Sequence, residues 1–149
     1  MKYKYEHPRA ALTVDIAVVR GPEPDREILL IQRKFEPFEG KWALPGGFVN
    51  ENEPLEEAAR RELAEETGIE GVGRLIQVGA YGDPGRDPRG WTVSVVFLAR
   101  LPEGGREPRA GDDAADARWF PAWDLPDLAF DHDRIVEDAL RLARHTDSR

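Results

Sequence analysis

The chain has 149 residues, 40% of them hydrophobic and 34% charged, with a formal net charge of −8 and no cysteine. That length suffices for one domain with its own core. The missing cysteines exclude disulfides, thiolate metal sites and cysteine nucleophiles, and the negative surface disfavours nucleic acid and anionic membranes as partners.

The start, Met1-Lys-Tyr-Lys-Tyr-Glu-His-Pro8, lacks the apolar centre of a secretion signal. No apolar run approaches the roughly 20 residues of a membrane span. A single domain over 1–149 and a cytoplasmic enzyme or binding protein are therefore expected. In chain order, residues 10–20 and 27–33, rich in Val, Ile and Leu, predict two strands around a turn with two prolines. Trp42 to Leu44 is a short extended piece that stops at Pro45-Gly46-Gly47, and Phe48 to Glu53 is a loop. A helix is expected from Pro54, which suits the first helical turn, to Gly68, a C-terminal cap. Strands near 73–81 and 91–99 flank a Gly/Pro/Asp-rich loop from Gly82 to Gly90. Gly104 to Ala110 is a further loop, 117–120 a short strand, and 130–143 an amphipathic helix. The order predicts an α+β fold: a mixed central sheet flanked by helices, an α/β/α sandwich.

The first helix breaks its own pattern. Leu55, Ala58, Ala59, Glu62, Glu65, Glu66 and Ile69 follow the spacing of a buried face, yet three of them are acids. Neighbouring carboxylates on one helix face repel, and sheltering them from water costs more. A hard divalent cation held by oxygen ligands would neutralise them, and a main-chain carbonyl from the Gly46-Gly47 turn could join the set. An oxygen-rich, partly protein-filled site suits Mg²⁺, which keeps waters and is completed by phosphates. Glu53 and Arg61 are placed to form a salt bridge closing the loop onto the helix. The plain alternative is a solvated acidic face.

Gly47, Glu53, Arg61-Glu62-Leu63-Ala64-Glu65-Glu66-Thr67-Gly68-Ile69 resembles a complete Nudix box. The resemblance implies a Nudix fold and a hydrolase of nucleoside diphosphates linked to another group. It implies that Glu62, Glu65 and Glu66, with the Gly46 carbonyl, bind Mg²⁺ or Mn²⁺ and carry catalysis, with Glu53 and Arg61 as a structural pair. It also implies a base outside the box. The candidate is Asp113, within Gly111-Asp112-Asp113-Ala-Ala-Asp116 and six residues before Trp119.

Pro84, fifteen residues after Ile69, and the segment Tyr81 to Ser94 are similar to the ADP-ribose pyrophosphatases of that family. This implies conversion of ADP-ribose to AMP and ribose 5-phosphate by a homodimer. A sanitising triphosphatase acting on an 8-oxo-dGTP-like nucleotide, or a non-catalytic ADP-ribose sensor, are the alternatives. Arg33, Arg86 and Arg89 are either phosphate ligands or ordinary surface residues. Trp42 and Phe35 either stack on adenine or join the core. His132 reads as a capping or packing residue rather than a catalytic one.

Overall fold

The computed structural model describes residues 2–102, 105–111 and 113–147. Strands β1 (Ala11–Arg20), β2 (Glu27–Arg33), β3 (Trp42–Ala43), β4 (Gly46–Phe48), β5 (Ile76–Tyr81), β6 (Thr92–Arg100) and β7 (Ala114–Pro121) form one mixed sheet. Its main path runs β3-β2-β1-β6-β5, with β4 paired to β1 and β7 to β2. β1 and β6 run parallel, and the other pairs are antiparallel. Helices α1 (Leu55–Thr67) and α2 (His132–Thr146) cover opposite faces. Gly104 and Asp112, within the loop and the acidic segment expected from sequence, lie outside the described residues.

The central strands are apolar on both sides because both faces are covered. Alternation along β1 sends Val14, Ile16 and Val18 under α1, where they pack with Leu29, Val95 and Phe97. Ala17 and Val19 turn to the α2 side with Ile28, Leu30, Val96 and Leu98. The exception on this second face is Asp15, buried in mid-strand.

α1 opens after Pro54, whose extended backbone (φ −60°, ψ 143°) places it at the cap rather than in the first turn. Glu56 and Glu57 there complement the helix dipole. Gly68 ends the helix in the left-handed conformation (φ 72°), its N–H donating to Ala64 O at 2.9 Å. The segment after β6 then crosses this helix end: the Arg109 and Gly111 amides donate to the carbonyls of Thr67 (2.8 Å) and Glu66 (2.9 Å). These would otherwise lack partners.

Two expectations change. Gly46–Phe48 is not a bare turn and loop start but a strand, in register with Thr13–Asp15. Glycine is a poor strand former, but side chains are excluded here. A Cβ at Gly46 would overlap Asp15 and the Val14 carbonyl, and one at Gly47 would lie 2.6 Å from the Glu62 carboxylate. The last strand is also longer than 117–120, because β7 pairs with β2 from Ala114 to Pro121.

Candidate active site

A cavity of about 340 Å³ opens on the α2 side of β1, beside the start of α2. Its walls come from β1 (Thr13, Asp15), β2 (Arg33), β4 (Gly46–Phe48), α1 (Glu62, Glu66), the β5–β6 loop (Arg86, Asp87, Arg89) and His132.

The acids of α1 divide. Glu66 is buried, 9% exposed, and receives a hydrogen bond from the Gly46 amide. Burial, and then the neighbouring Glu62 carboxylate, push its pKa up to about 9, and its Oε2 is buried without a hydrogen-bond partner. Glu62 lies alongside, its Oε1 accepting from Arg61 Nη1 at 2.9 Å. Glu65 was expected on the same face, but its side chain is 58% exposed, lies outside the cavity wall and meets Arg61 at 3.2 Å. A helical face is only so wide: Glu62 and Glu66 turn inward beside buried Leu63 and Thr67, and Glu65 is left on the exposed side.

Arg61 is the hinge of this arrangement. Its Nε and Nη2 hold Glu53 at 2.7 and 3.0 Å, and Nη2 also reaches the Phe48 carbonyl at 3.2 Å. The bidentate pair, with the Asn50 amide, holds the Glu53 carboxyl well below the usual carboxylate range.

Among the described residues, no three His, Asp or Glu side chains already converge as a metal cage. The donors present nevertheless fit a hard cation. Glu62 and Glu66 supply carboxylate oxygens, Glu66 Oε2 lacks a partner, and Gly46 supplies main-chain oxygen. Mg²⁺ needs only one or two carboxylates and fills its remaining positions with water and phosphate.

The floor of the cavity is polar, and sequence reasoning missed most of it. Burial pushes the Asp15 carboxyl up to about 7. His132 is buried too, which drives its imidazole down to about 4. Arg86 spends its guanidinium inside the protein: Nε and Nη2 close on Asp131, and Nη1 donates to Ser94 Oγ at 2.9 Å. Ser94 in turn meets Thr13. Arg86 therefore lines the cavity wall but is not a free phosphate ligand.

The mouth is aromatic and cationic. Arg33 lies 4.9 Å from the Phe130 ring centre, and Arg89 lies 5.1 Å from Phe48 and 5.3 Å from Phe130. Arg89 also pairs with buried Asp87 at 2.7 Å. Phe35 and Phe48 line the same opening and are 56% and 46% exposed. Asp113 is exposed at the rim. Trp42 and Pro84 do not line the cavity. Trp42 packs edge-on against Phe120 at 4.7 Å in the α2-side core, and Pro84 sits exposed on the loop.

The family model described as "NUDIX domain" matches residues 10–139, most of the chain. The chain belongs to the NUDIX domain family. It is 49% identical over 142 residues to the ADP-ribose pyrophosphatase of Methanocaldococcus jannaschii, covering 94% of this chain and 78% of that protein. It is 37% identical to the ADPR-responsive transcriptional repressor NtrR of Acinetobacter baylyi, covering 91% of this chain but only 55% of the repressor's length. Among solved structures, the NUDIX domain of Shewanella oneidensis NrtR in complex with ADP ribose superposes with a TM-score of 0.79. It is 34% identical, with 91% of this chain and 89% of that one covered. The family and the fold thus agree with the sequence-based assignment.

Proposed function

We propose that the protein is a divalent-metal-dependent pyrophosphohydrolase of nucleoside diphosphate derivatives, acting on ADP-ribose to give AMP and ribose 5-phosphate. One observation carries the chemistry: Glu66 is buried against Gly46 with an unpartnered oxygen and a second carboxylate, Glu62, beside it. Two sheltered carboxylates in contact are stable only when protonated or shared with a cation. The similarity to the methanogen ADP-ribose pyrophosphatase supports the substrate.

In this reading Glu62, Glu66 and the Gly46 carbonyl hold Mg²⁺ or Mn²⁺. Bound there, the cation supplies Lewis-acid polarisation of phosphoryl oxygens and a more acidic water. Glu65, exposed beside Arg61, would add a third carboxylate to this set. Arg61 keeps Glu62 oriented while Glu53 keeps Arg61 in place. Arg33 and Arg89 meet the pyrophosphate charge at the mouth, and Phe35 and Phe48 offer ring faces to adenine. Asp113, on the rim, is the general base of this reading. The same proposal includes one domain, a homodimer, a cytoplasmic location and a free nucleotide rather than nucleic acid as substrate; the net charge of −8 supports the last.

A second reading, an ADP-ribose sensor that does not cleave its ligand, is favoured by the likeness to the repressor. Incubation with ADP-ribose and Mg²⁺ or Mn²⁺, with products identified by mass, decides between them. AMP with ribose 5-phosphate supports the hydrolase. Binding without products supports the sensor, and release of pyrophosphate from an 8-oxo-dGTP-like triphosphate alone supports the sanitising enzyme.

A further inference from the structure

The floor of the cavity contains one hydrogen-bonding gap. The Leu44 amide donates to Nδ1 of His132 at 3.0 Å. An imidazole nitrogen that accepts a hydrogen bond carries no proton, so the single ring proton sits on Nε2. That nitrogen lies 3.9 Å from Asp15 Oδ2, too far for a direct hydrogen bond. A donor and an acceptor therefore stand side by side, both buried and both lining the cavity.

The neighbouring polar groups are already committed. Arg86 is held by Asp131 and Ser94, and Ser94 also meets Thr13. The Asp15 carboxyl keeps lone pairs that can accept, with or without a proton of its own. What fits between Asp15 and His132 is a group that donates to one and accepts from the other. A hydroxyl does both; a phosphate oxygen would face the carboxylate. A nucleobase seeks ring faces, and the aromatic residues Phe35, Phe48 and Phe130 stand at the mouth instead.

We infer that Asp15 and His132 form an acceptor–donor pair that binds one hydroxyl of the sugar on the far side of the pyrophosphate, and so set specificity for a ribosyl end. The inference rests on the proposed ADP-ribose reading and deepens it. It makes Asp15 and His132 specificity residues on the cavity floor, with Asp15 in register beside Gly46 of the proposed metal site.

The test is equilibrium binding by calorimetry in chelator, where no hydrolysis occurs. The ligands are ADP, ADP-ribose and ADP-ribose analogues lacking one terminal-ribose hydroxyl. Wild-type protein is expected to lose about tenfold or more in affinity for one of the deoxy analogues, the scale of a hydrogen bond to a charged group. In Asp15→Ala the same deletion is expected to cost less than about twofold, with ADP affinity unchanged, because the lost partner is already gone. Wild-type affinity within about twofold for every deoxy analogue overturns the inference, and needs no variant to fold. So does an Asp15→Ala protein that stays folded yet weakens ADP as much as ADP-ribose. Release of AMP from ADP-ribose with Mg²⁺ alongside an unresponsive deoxy series removes this inference alone. No release, and no preference for ADP-ribose over ADP, removes the proposed function with it.

Discussion

Arg86 and Asp131 form a bidentate pair, with Nε at 2.8 Å and Nη2 at 2.7 Å from the two carboxylate oxygens. The arginine comes from the β5–β6 loop and the aspartate immediately precedes α2, while Nη1 reaches Ser94 of β6. One side chain, 5% exposed, thus ties three segments around the cavity. Arg134 and Asp83, 3.2 Å apart, add an exposed second tie between the same loop and helix.

The first prediction follows from that geometry. A lysine at position 86 has one ammonium and cannot reproduce three directed bonds. Arg86→Lys should lower stability by about 3 kcal/mol, since Asp131 is left partly buried and underpaired. The denaturant midpoint measures this. The adjacent Asp87–Arg89 pair should loosen too, so KM for ADP-ribose should rise more than kcat falls. Unchanged midpoint and KM would show that the loop is held by its backbone alone.

Glu66→Gln should lower turnover by at least about a hundredfold in Mg²⁺, because it removes an anionic oxygen ligand from metal-assisted hydrolysis. The fold should persist, as the amide keeps the shape of the carboxyl. Melting in chelator should be as high as wild type or higher, since one member of a like-charge pair is gone. Wild-type turnover in this variant would remove Glu66 from the proposed site.

Stability without metal should fall as pH rises. The folded-state pKa values of Glu66 (about 9) and Asp15 (about 7) lie above the ordinary carboxylate range. Between about pH 4 and those values the unfolded chain has released protons that the folded chain still binds, so each added pH unit favours unfolding. The contribution is complete below about pH 4 and is lost as pH climbs through 7 and 9. His132 acts in the opposite direction at lower pH: its folded value, about 4, lies below the ordinary one, so stability is lost as pH falls from about 6.5 toward 4. Melting temperatures in chelator should therefore peak in mildly acid buffer. The decline above the peak should be shallower in Glu66→Gln, and Mg²⁺ should raise the melting temperature most at high pH. A flat profile from pH 6 to 9 in the wild type would contradict the buried, protonated acids.

α1 was legible because every signal in it is local: Pro54 and Gly68 at its ends, and a Nudix box whose spacing is fixed by the helix itself. The limits of periodicity show at Glu65, which satisfies the spacing yet sits at the edge of the stripe, where packing of Leu63 decides. β4 was hidden because two glycines read as a turn; their role appears only when Asp15 and Glu62 come close in space. Arg86 was read as a phosphate ligand or a surface residue, and neither reading could foresee a partner 45 residues away in the chain. Trp42 takes the core alternative of its two sequence readings, while Phe48, read only as the start of a loop, lines the mouth. One signal was available and unused: Asp15 interrupts the apolar run Val14-Asp15-Ile16, and a charged residue in a central strand is rarely there for packing.

The two neighbouring glycines make a paired prediction. At Gly47 an added Cβ meets the carboxylate of Glu62 at 2.6 Å, the mobile end of a side chain. Gly47→Ala should leave the fold intact and push Glu62 away from Glu66. The rise in melting temperature on adding Mg²⁺ should then shrink, along with turnover. For scale, ligand at 100 times its Kd stabilises by about 2.7 kcal/mol. At Gly46 the same methyl meets backbone, the Val14 carbonyl and Asp15 Cα, which cannot move without opening the β1–β4 pairing. Gly46→Ala should therefore cost about 1–3 kcal/mol of stability even in chelator, as overpacking does. Melting both variants with and without Mg²⁺ separates the two effects. Equal losses in chelator would mean that Glu62 is held as rigidly as the strand, and that the proposed cation does not bind by shifting it.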